Sequence, residues 1–302
     1  MSLWIPITIA AAFAQNLRSA LQKHLKGVMG TTGATFVRFG FGLPFALLYL
    51  MAVLGLTGEE WPDLAAHFWP WLLVGALAQI AATFMLVYLF SFRNFVVGTA
   101  YSRTEAMQTA ILAALLVGAS FTPVAIVAIL VSVAGVMLIS VARTAFTPMA
   151  LLTSLVSPVA LMGIASGTAF AFAAVGYRQA TLSVVADSFA LQAAVTLVIG
   201  IAFQTLLMLA WMVLRDRAEL ARVAKAWKPA TLVGLAGATA SFGWFAAFTL
   251  QEAAIVKVLA QVEILFTFAA SYIWFGERLN GKEYAGCVLI VAGIFILLAG
   301  GL

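Results

Sequence analysis

Hydrophobic runs of about twenty residues recur along the whole chain, and this feature limits the folds that the chain can adopt. A helix rises about 1.5 Å per residue, so about 20 apolar residues cross a hydrocarbon core of roughly 30 Å. Only 9% of the 302 residues are charged and 64% are hydrophobic, whereas soluble domains carry about 25% charged residues. The sequence therefore predicts an all-α membrane protein with ten transmembrane helices.

The predicted spans are separated mostly by short loops, which favours a bundle of antiparallel neighbours. They cover residues 3–21, 34–56, 68–90, 96–117, 123–141, 158–177, 189–214, 230–250, 254–275 and 283–299. The longest connection follows the seventh span and is rich in basic residues. We expect it to form a short amphipathic segment at the membrane surface.

Basic residues are distributed unevenly between the loops. The odd-numbered loops contain Lys23, Lys26, Arg93, Arg143, Arg215, Arg217, Arg222, Lys225, Lys228, Arg278 and Lys282. The even-numbered loops contain almost none, with Arg178 the main exception, and the second loop is acidic. Because cytoplasmic loops carry an excess of Lys and Arg, we predict a bacterial inner (plasma) membrane protein with both termini outside the cytoplasm.

The fourth predicted span contains charged and amide groups, namely Arg103, Glu105 and Gln108. Charged groups at membrane depth are costly unless they face other helices or water, so they are candidates for function. An offset of 158 residues (263 minus 105) places Glu105 on Glu263 of the ninth span. One intramembrane glutamate therefore occurs twice, at matching places in two parts of the chain.

This offset has a consequence for topology, because five crossings separate the matching spans. Five is an odd number, so the two halves enter the membrane from opposite faces. We predict two inverted five-helix repeats, over residues 1–145 and 146–302. Inverted repeats occur in many secondary transporters, whose site lies near the bilayer midplane. Both glutamates lie about nine residues into their spans, hence roughly 13 Å deep.

The clearest local motif lies near the end of the chain. Residues 269–279 read AASYIWFGERL, and residues 284–294 read YAGCVLIVAGI. This Gly-Glu-x-Leu turn, followed by a helix with two spaced glycines, resembles the ten-helix EamA-type members of the drug/metabolite transporter superfamily. The resemblance covers nearly the whole chain. It implies transport of a small organic solute such as an amino acid, a nucleotide sugar or a drug. Ala119 stands where the first half would repeat the glutamate of the turn.

Three roles are open to Glu105 and Glu263: they could bind a cationic group, carry coupling protons or form structural ion pairs. Arg103 is close to Glu105 in sequence, but residues two apart on a helix do not face each other. We therefore expect Arg103 to pair across helices. Lys257 lies near one end of the ninth span, where a long side chain can extend to the membrane surface.

Polar and aromatic side chains complete the candidate site. Amides at membrane depth usually join helices, at less than about 1 kcal/mol each, and those on spans expected to line the centre rank highest. The candidate substrate-binding or coupling residues are Glu105, Glu263, Gln108, Gln261, Gln15, Gln79, Arg103, Tyr101 and Trp244. Arg18 and Arg38 lie near the first loop, where we expect them to contact lipid head groups. Phe170, Phe172 and Tyr177 on the sixth span and residues 242–245 on the eighth could line an aromatic cavity.

The sequence contains no motif of an enzyme. His24 and His67 are its only histidines, and no Ser–His–Asp set, HExxH motif or P-loop is present. We therefore expect neither catalysis nor a cofactor or metal, and movement driven by gradients rather than by ATP. The net charge of +5 comes from the short loops and does not predict nucleic-acid binding.

These features, with the resemblance, predict a secondary active transporter that works by alternating access. Export of amino acids or related metabolites is the main hypothesis. Efflux of lipophilic cations is the alternative, in which the carboxylates would act as counter-charges. The expected partners are the solute, the lipid bilayer and, if a glutamate carries it, a coupling proton. The sequence leaves open whether the protein is a monomer or a homodimer.

Overall fold

Long apolar helices make up most of the protein. The computed structural model describes residues 2–92, 101–140, 157–266 and 280–300. Within these residues, six helical segments are long and apolar enough to cross a membrane, including Thr31–Thr57 and Phe189–Arg215. This confirms the prediction of an all-α membrane protein. The motif at 269–279 and the starts or ends of several predicted spans lie outside the described residues.

The helices and strands follow one another in a simple order. The helices are α1 (Trp4–Leu25), α2 (Thr31–Gly40), α3 (Leu43–Thr57), α4 (Phe68–Leu89), α5 (Glu105–Val117), α6 (Pro123–Ser140), α7 (Pro158–Leu182), α8 (Phe189–Arg215), α9 (Arg217–Lys225), α10 (Trp227–Leu250), α11 (Ala253–Leu259) and α12 (Gly281–Ala299). Strand β1 (Asp63–Leu64) pairs antiparallel with β2 (Val184–Val185).

Several helix boundaries follow directly from the residues that occupy them. The Ser157 hydroxyl accepts a backbone N–H at the start of α7, and Asn280 forms a capping box with Glu283 at the start of α12. Gly58 and Gly118 end α3 and α5 with φ of 68°, the left-handed conformation that glycine adopts without steric cost. The second predicted span is observed as α2 and α3, which continue each other across a short interruption.

The most extensive helix contacts are between α4 and α7, between α6 and α12, and between α1 and α10. Glycines permit two of these close approaches. A Cβ atom added to Gly176 of α7 would lie 2.7 Å from the backbone nitrogen of Gly75 on α4, and one added to Gly286 of α12 would lie 2.7 Å from the carbonyl oxygen of Gly135 on α6. Small residues allow backbones to approach in this way in membrane bundles.

Short segments tie the helix ends together at two places. The β1–β2 pair holds the start of α4 next to the end of α7. At the other place, α9 packs against α2, and the buried Glu219 carboxylate accepts the backbone N–H of Gly30 and pairs with Arg222. The predicted amphipathic segment is therefore a short helix with one carboxylate turned inward.

The fourth and ninth spans differ from the sequence prediction, which treated each as one continuous helix. In the described residues, a turn at Arg103 and Thr104 precedes α5, and a turn at Ala260 and Gln261 follows α11. Helical backbone resumes at residues 262–266. Each interruption lies within two residues of a repeated glutamate, and therefore determines where the charged side chains of these spans lie.

Candidate functional site

Both repeated glutamates follow a tightened turn of backbone. The N–H of Thr104 donates to the carbonyl of Tyr101, and the N–H of Gln261 donates to the carbonyl of Val258, both at 3.2 Å. Such bonds to the third preceding residue are typical of 3₁₀ geometry, which in mid-helix often marks a hinge. Interrupted helix at membrane depth is tolerated where it is buried in protein or lines a cavity. These two turns therefore mark the centre of the candidate site.

Glu263 forms a two-pronged ion pair with Arg103. The Arg103 Nη1 atom lies 2.5 Å from Oε2, and Nη2 lies 2.8 Å from Oε1. Parallel bonds of this kind are among the strongest in proteins. Only 1% of the Glu263 side chain is exposed, so the arginine supplies much of what water would otherwise provide. The expectation that Arg103 pairs across helices is confirmed.

Gln15 connects this ion pair to the eighth predicted span. Its Nε2 atom donates to Glu263 Oε2 at 3.1 Å, and its Oε1 atom accepts the indole N–H of Trp244 at 2.9 Å. Both ends of the amide are therefore used, which determines its orientation. Four of the predicted site residues, Arg103, Glu263, Gln15 and Trp244, are thus joined by direct contacts.

Glu105 pairs with Lys257, whose ammonium lies 3.4 Å from its Oε1 atom. The ammonium also lies 4.7 Å from the ring centroid of Trp244 and 5.8 Å from that of Phe248, within the range of cation–π attraction. The expectation that Lys257 extends to the membrane surface is wrong, because only 6% of its side chain is exposed. A carboxylate and two aromatic rings replace the surface water.

Arg18 and Arg38 are also inside the protein, with 1% and 2% of their surfaces exposed. Arg38 donates to the hydroxyl of Thr83 at 2.7 Å and to that of Ser241 at 3.3 Å. The expectation that both residues contact lipid head groups is therefore wrong. Their spans pack against α4 and α10, and this packing directs the side chains into the bundle.

Gln79 belongs to a separate amide cluster. Its Oε1 atom accepts the Tyr177 hydroxyl at 3.2 Å and the Gln204 amide at 2.9 Å, and Gln204 also donates to the Tyr177 oxygen at 3.0 Å. Gln204 is not among the residues that the sequence analysis selected, because its span was not expected to line the centre. An amide within a largely apolar run was the available signal for it.

The remaining predicted residues lie beside the two turns. Gln108 donates to the Thr104 hydroxyl at 3.1 Å, and the buried Tyr101 offers its carbonyl oxygen to the same hydroxyl at 2.7 Å. Gln261 is buried, and neither polar atom of its amide has a hydrogen-bond partner within the described ranges. An unused buried amide next to Glu263 is therefore a further feature of the site.

Two narrow cavities adjoin at this centre and share Gln15 and Phe170. The first is also lined by Arg18, Ser102, Arg103 and Glu105, and its cavity volume is only about 20 Å³. The second is also lined by Arg38, Gln79, Tyr177, Trp244, Phe248 and Lys257. The predicted aromatic lining is thus confirmed for Phe170, Tyr177, Trp244 and Phe245, and Phe248 is an addition that the sequence analysis missed.

Long apolar helices around a buried charged centre define a multi-pass α-helical membrane protein. Residues 157–299 match the EamA-like transporter family, which is part of the drug/metabolite transporter superfamily. The second half of the chain is therefore similar to EamA-like transporters, which confirms the resemblance over the matched residues. The family indicates a membrane transporter of small solutes.

Comparison with solved structures supports the fold over the whole chain. One crystal structure superposes with a TM-score of 0.66, covering 98% of this chain and 95% of its own, at 16% sequence identity. At that identity the likeness concerns the fold alone. No curated protein matches the sequence.

Proposed function

We propose that the protein is a secondary active transporter that exports amino acids or related metabolites by alternating access. The observation that carries this proposal is a pair of reciprocal ion pairs. Arg103 and Glu105 belong to the first half, and Lys257 and Glu263 belong to the second. Each cation pairs with the carboxylate of the other half. The centre therefore joins the halves through contacts that can break and re-form as they move.

The packing pattern supports two inverted five-helix repeats, over residues 1–145 and 146–302. If each span of the first half is exchanged with the span five places later in the second half, the α4–α7 contact becomes the α10–α1 contact. The α6–α12 contact stays the same, because these two helices exchange with each other. These are the three most extensive contacts between described helices. Such an exchange is what a pseudo-twofold axis in the membrane plane produces.

Contacts between the loops support the proposed crossing pattern. Strands β1 and β2 lie in the second and sixth loops, both even-numbered, and they pair directly. Helix α9 lies in the seventh loop, and its Glu219 carboxylate accepts the backbone N–H of Gly30 in the first loop. Both loops are odd-numbered. In a ten-span chain, loops of equal parity share one face of the membrane. The basic residues of the odd-numbered loops support a cytoplasmic position for the face that these loops share, with both termini outside the cytoplasm.

The charged and aromatic composition of the cavities favours an amino acid over a lipophilic cation. An amino acid carries a carboxylate, which a lipophilic cation lacks, and the first cavity offers the guanidinium of Arg18 to that group. Aromatic side chains in the second cavity suit an apolar side chain. Both central carboxylates already pair with cations, so a lipophilic cation would have to displace Arg103 or Lys257.

Counterflow in proteoliposomes tests this proposal. Purified protein is reconstituted and assayed with labelled amino acids, related organic acids and lipophilic cations. We expect amino-acid exchange that falls at least about tenfold in Glu263→Gln, since that variant loses a charge-assisted two-pronged contact. Glu60→Gln, in the exposed second loop, is the matched control and should exchange normally. Exchange of lipophilic cations alone, or normal exchange by Glu263→Gln, would contradict the proposal.

A further inference from the structure

Arg18 is a buried cation whose hydrogen-bonding groups are mostly unused. Only 1% of its surface is exposed. Its Nη2 atom donates to the hydroxyl of the adjacent Ser19 at 3.3 Å, while Nε and Nη1 have no partner in the part of the chain that the structure describes. A guanidinium has five N–H donors. Most of the donors of Arg18 are therefore buried without an acceptor.

The charges around Arg18 do not balance. The central charge cluster consists of Arg18, Arg38, Arg103, Lys257, Glu105 and Glu263. Cations exceed carboxylates by two among these described residues, and both carboxylates are already paired, with Arg103 and Lys257. Glu263 and Glu105 attract Arg18 electrostatically, but neither contacts its guanidinium in the described structure. The excess positive charge therefore lies on Arg18 and Arg38.

The two excess cations lie close to each other. A Cβ atom added to Gly237 of α10 would lie 3.1 Å from Cγ of Arg38 and 3.6 Å from Cδ of Arg18. Arg38 is held by the hydroxyls of Thr83 and Ser241, whereas Arg18 donates, among the described residues, only to Ser19. Two buried like charges on neighbouring side chains repel each other, and an anion beside them would relieve the repulsion.

Arg18 also lines the first cavity, a narrow space of about 20 Å³, together with Gln15, Ser102, Arg103 and Glu105. We propose that Arg18 binds an anionic oxygen group, a carboxylate or a phosphate, on the transported solute. The planar fork of a guanidinium matches the two oxygens of such a group. This inference rests on the proposed function and adds to it the part of the solute that is recognised and the residue that recognises it.

Ligand-dependent thermal unfolding of the full-length protein tests the inference. The probes are an amino acid, its amide, its decarboxylated amine, and inorganic phosphate, each at millimolar concentration because ligand stabilisation depends on concentration relative to Kd. We expect the amino acid to raise the unfolding temperature and the amide and amine to fail. Stabilisation by phosphate but not by the amino acid would assign the site to a phosphate group. Stabilisation by neither anion would overturn the inference.

Variants of Arg18 separate ligand binding from a structural role. Arg18→Gln should weaken anion binding at least about tenfold. Without ligand, it should unfold at the same or a higher temperature than the wild type, because it removes an unpaired buried charge. Arg18→Met provides a second, uncharged variant, and Arg215→Gln on the exposed end of α8 is the control. An unliganded Arg18→Gln that unfolds well below the wild type, or one that binds anions normally, would overturn the inference.

Transport assays distinguish this inference from the broader proposal. If proteoliposomes exchange an uncharged solute or a cation equally well with Arg18 and with Arg18→Gln, the anion site is wrong and transport stands. If the wild-type protein binds the amino acid through Arg18 but exchanges no solute, the anion site stands and the transport proposal is wrong.

Discussion

Arg103 and Glu263 are 160 residues apart in the chain and are joined by two hydrogen bonds, at 2.5 and 2.8 Å. Their burial is unequal, because 27% of the Arg103 side chain is exposed but only 1% of the Glu263 side chain. Loss of the arginine would leave a carboxylate without its cation in a dry environment. Loss of the glutamate would leave an arginine that retains access to water.

This asymmetry predicts unequal effects of the two single substitutions on stability. Arg103→Gln should lower the free energy of unfolding by about 3 kcal/mol or more, as expected when a buried ion is left unpaired. Glu263→Gln should cost less, because the glutamine keeps an acceptor for Gln15. Unfolding by denaturing detergent measures both. The double variant should cost less than the sum of the single ones. If Glu263→Gln lowers the free energy of unfolding more than Arg103→Gln does, the prediction is wrong, because water then does not compensate the partly exposed Arg103 for its lost carboxylate.

A second prediction concerns the coupling proton. If Glu105 carries it, Glu105→Gln should retain solute exchange at equal concentrations but lose uphill accumulation driven by a pH gradient, because an amide does not bind and release a proton in this range. Proteoliposomes with and without an imposed gradient measure the two activities. Glu252→Gln is the matched control, since Glu252 pairs with Arg178 at the end of α7. Unchanged accumulation by Glu105→Gln would exclude Glu105 as the carrier.

A third prediction concerns the close contact between α6 and α12. A Cβ atom on Gly286 would lie 2.5 Å from Cγ1 of Ile139 and 2.7 Å from the Gly135 carbonyl. Gly286→Ala should therefore destabilise the protein by about 1–3 kcal/mol, the usual cost of overpacking. Gly55→Ala is the control, because no atom lies within 4 Å of its added Cβ, and it should be neutral or stabilising. Equal unfolding temperatures for the two variants would contradict close packing at Gly286.

A fourth prediction concerns orientation in the membrane. In a protein whose single cysteine is replaced, Cys287→Ser, a new thiol at Glu60→Cys should react with a membrane-impermeant reagent in intact bacterial cells. A thiol at Lys225→Cys should react only in inverted vesicles. Both positions are exposed and lie in even- and odd-numbered loops respectively. The reverse labelling pattern would place the termini in the cytoplasm.

Part of the candidate site was predictable because charge inside an apolar run is conspicuous. Arg103, Glu105 and Glu263 stand out in this way, and Gln15 and Trp244 lie on spans that should reach the centre. The buried positions of two cations were harder to predict from the sequence. Lys257 and Arg18 lie near span ends, where surface contact is the usual outcome. Instead, the turn after α11 and the packing of α1 against α10 place both side chains inside.

The sequence by itself determined that the chain is helical and crosses a membrane, because the transfer free energy of a span is a sum over neighbouring residues. It also identified the repeated glutamates by a simple offset. Only the tertiary structure decided which cation pairs with which carboxylate, and that Nε and Nη1 of Arg18 have no acceptor among the described residues. Those outcomes depend on distances between residues such as Arg103 and Glu263, which no local pattern encodes, and on the helix interruptions that bring them together.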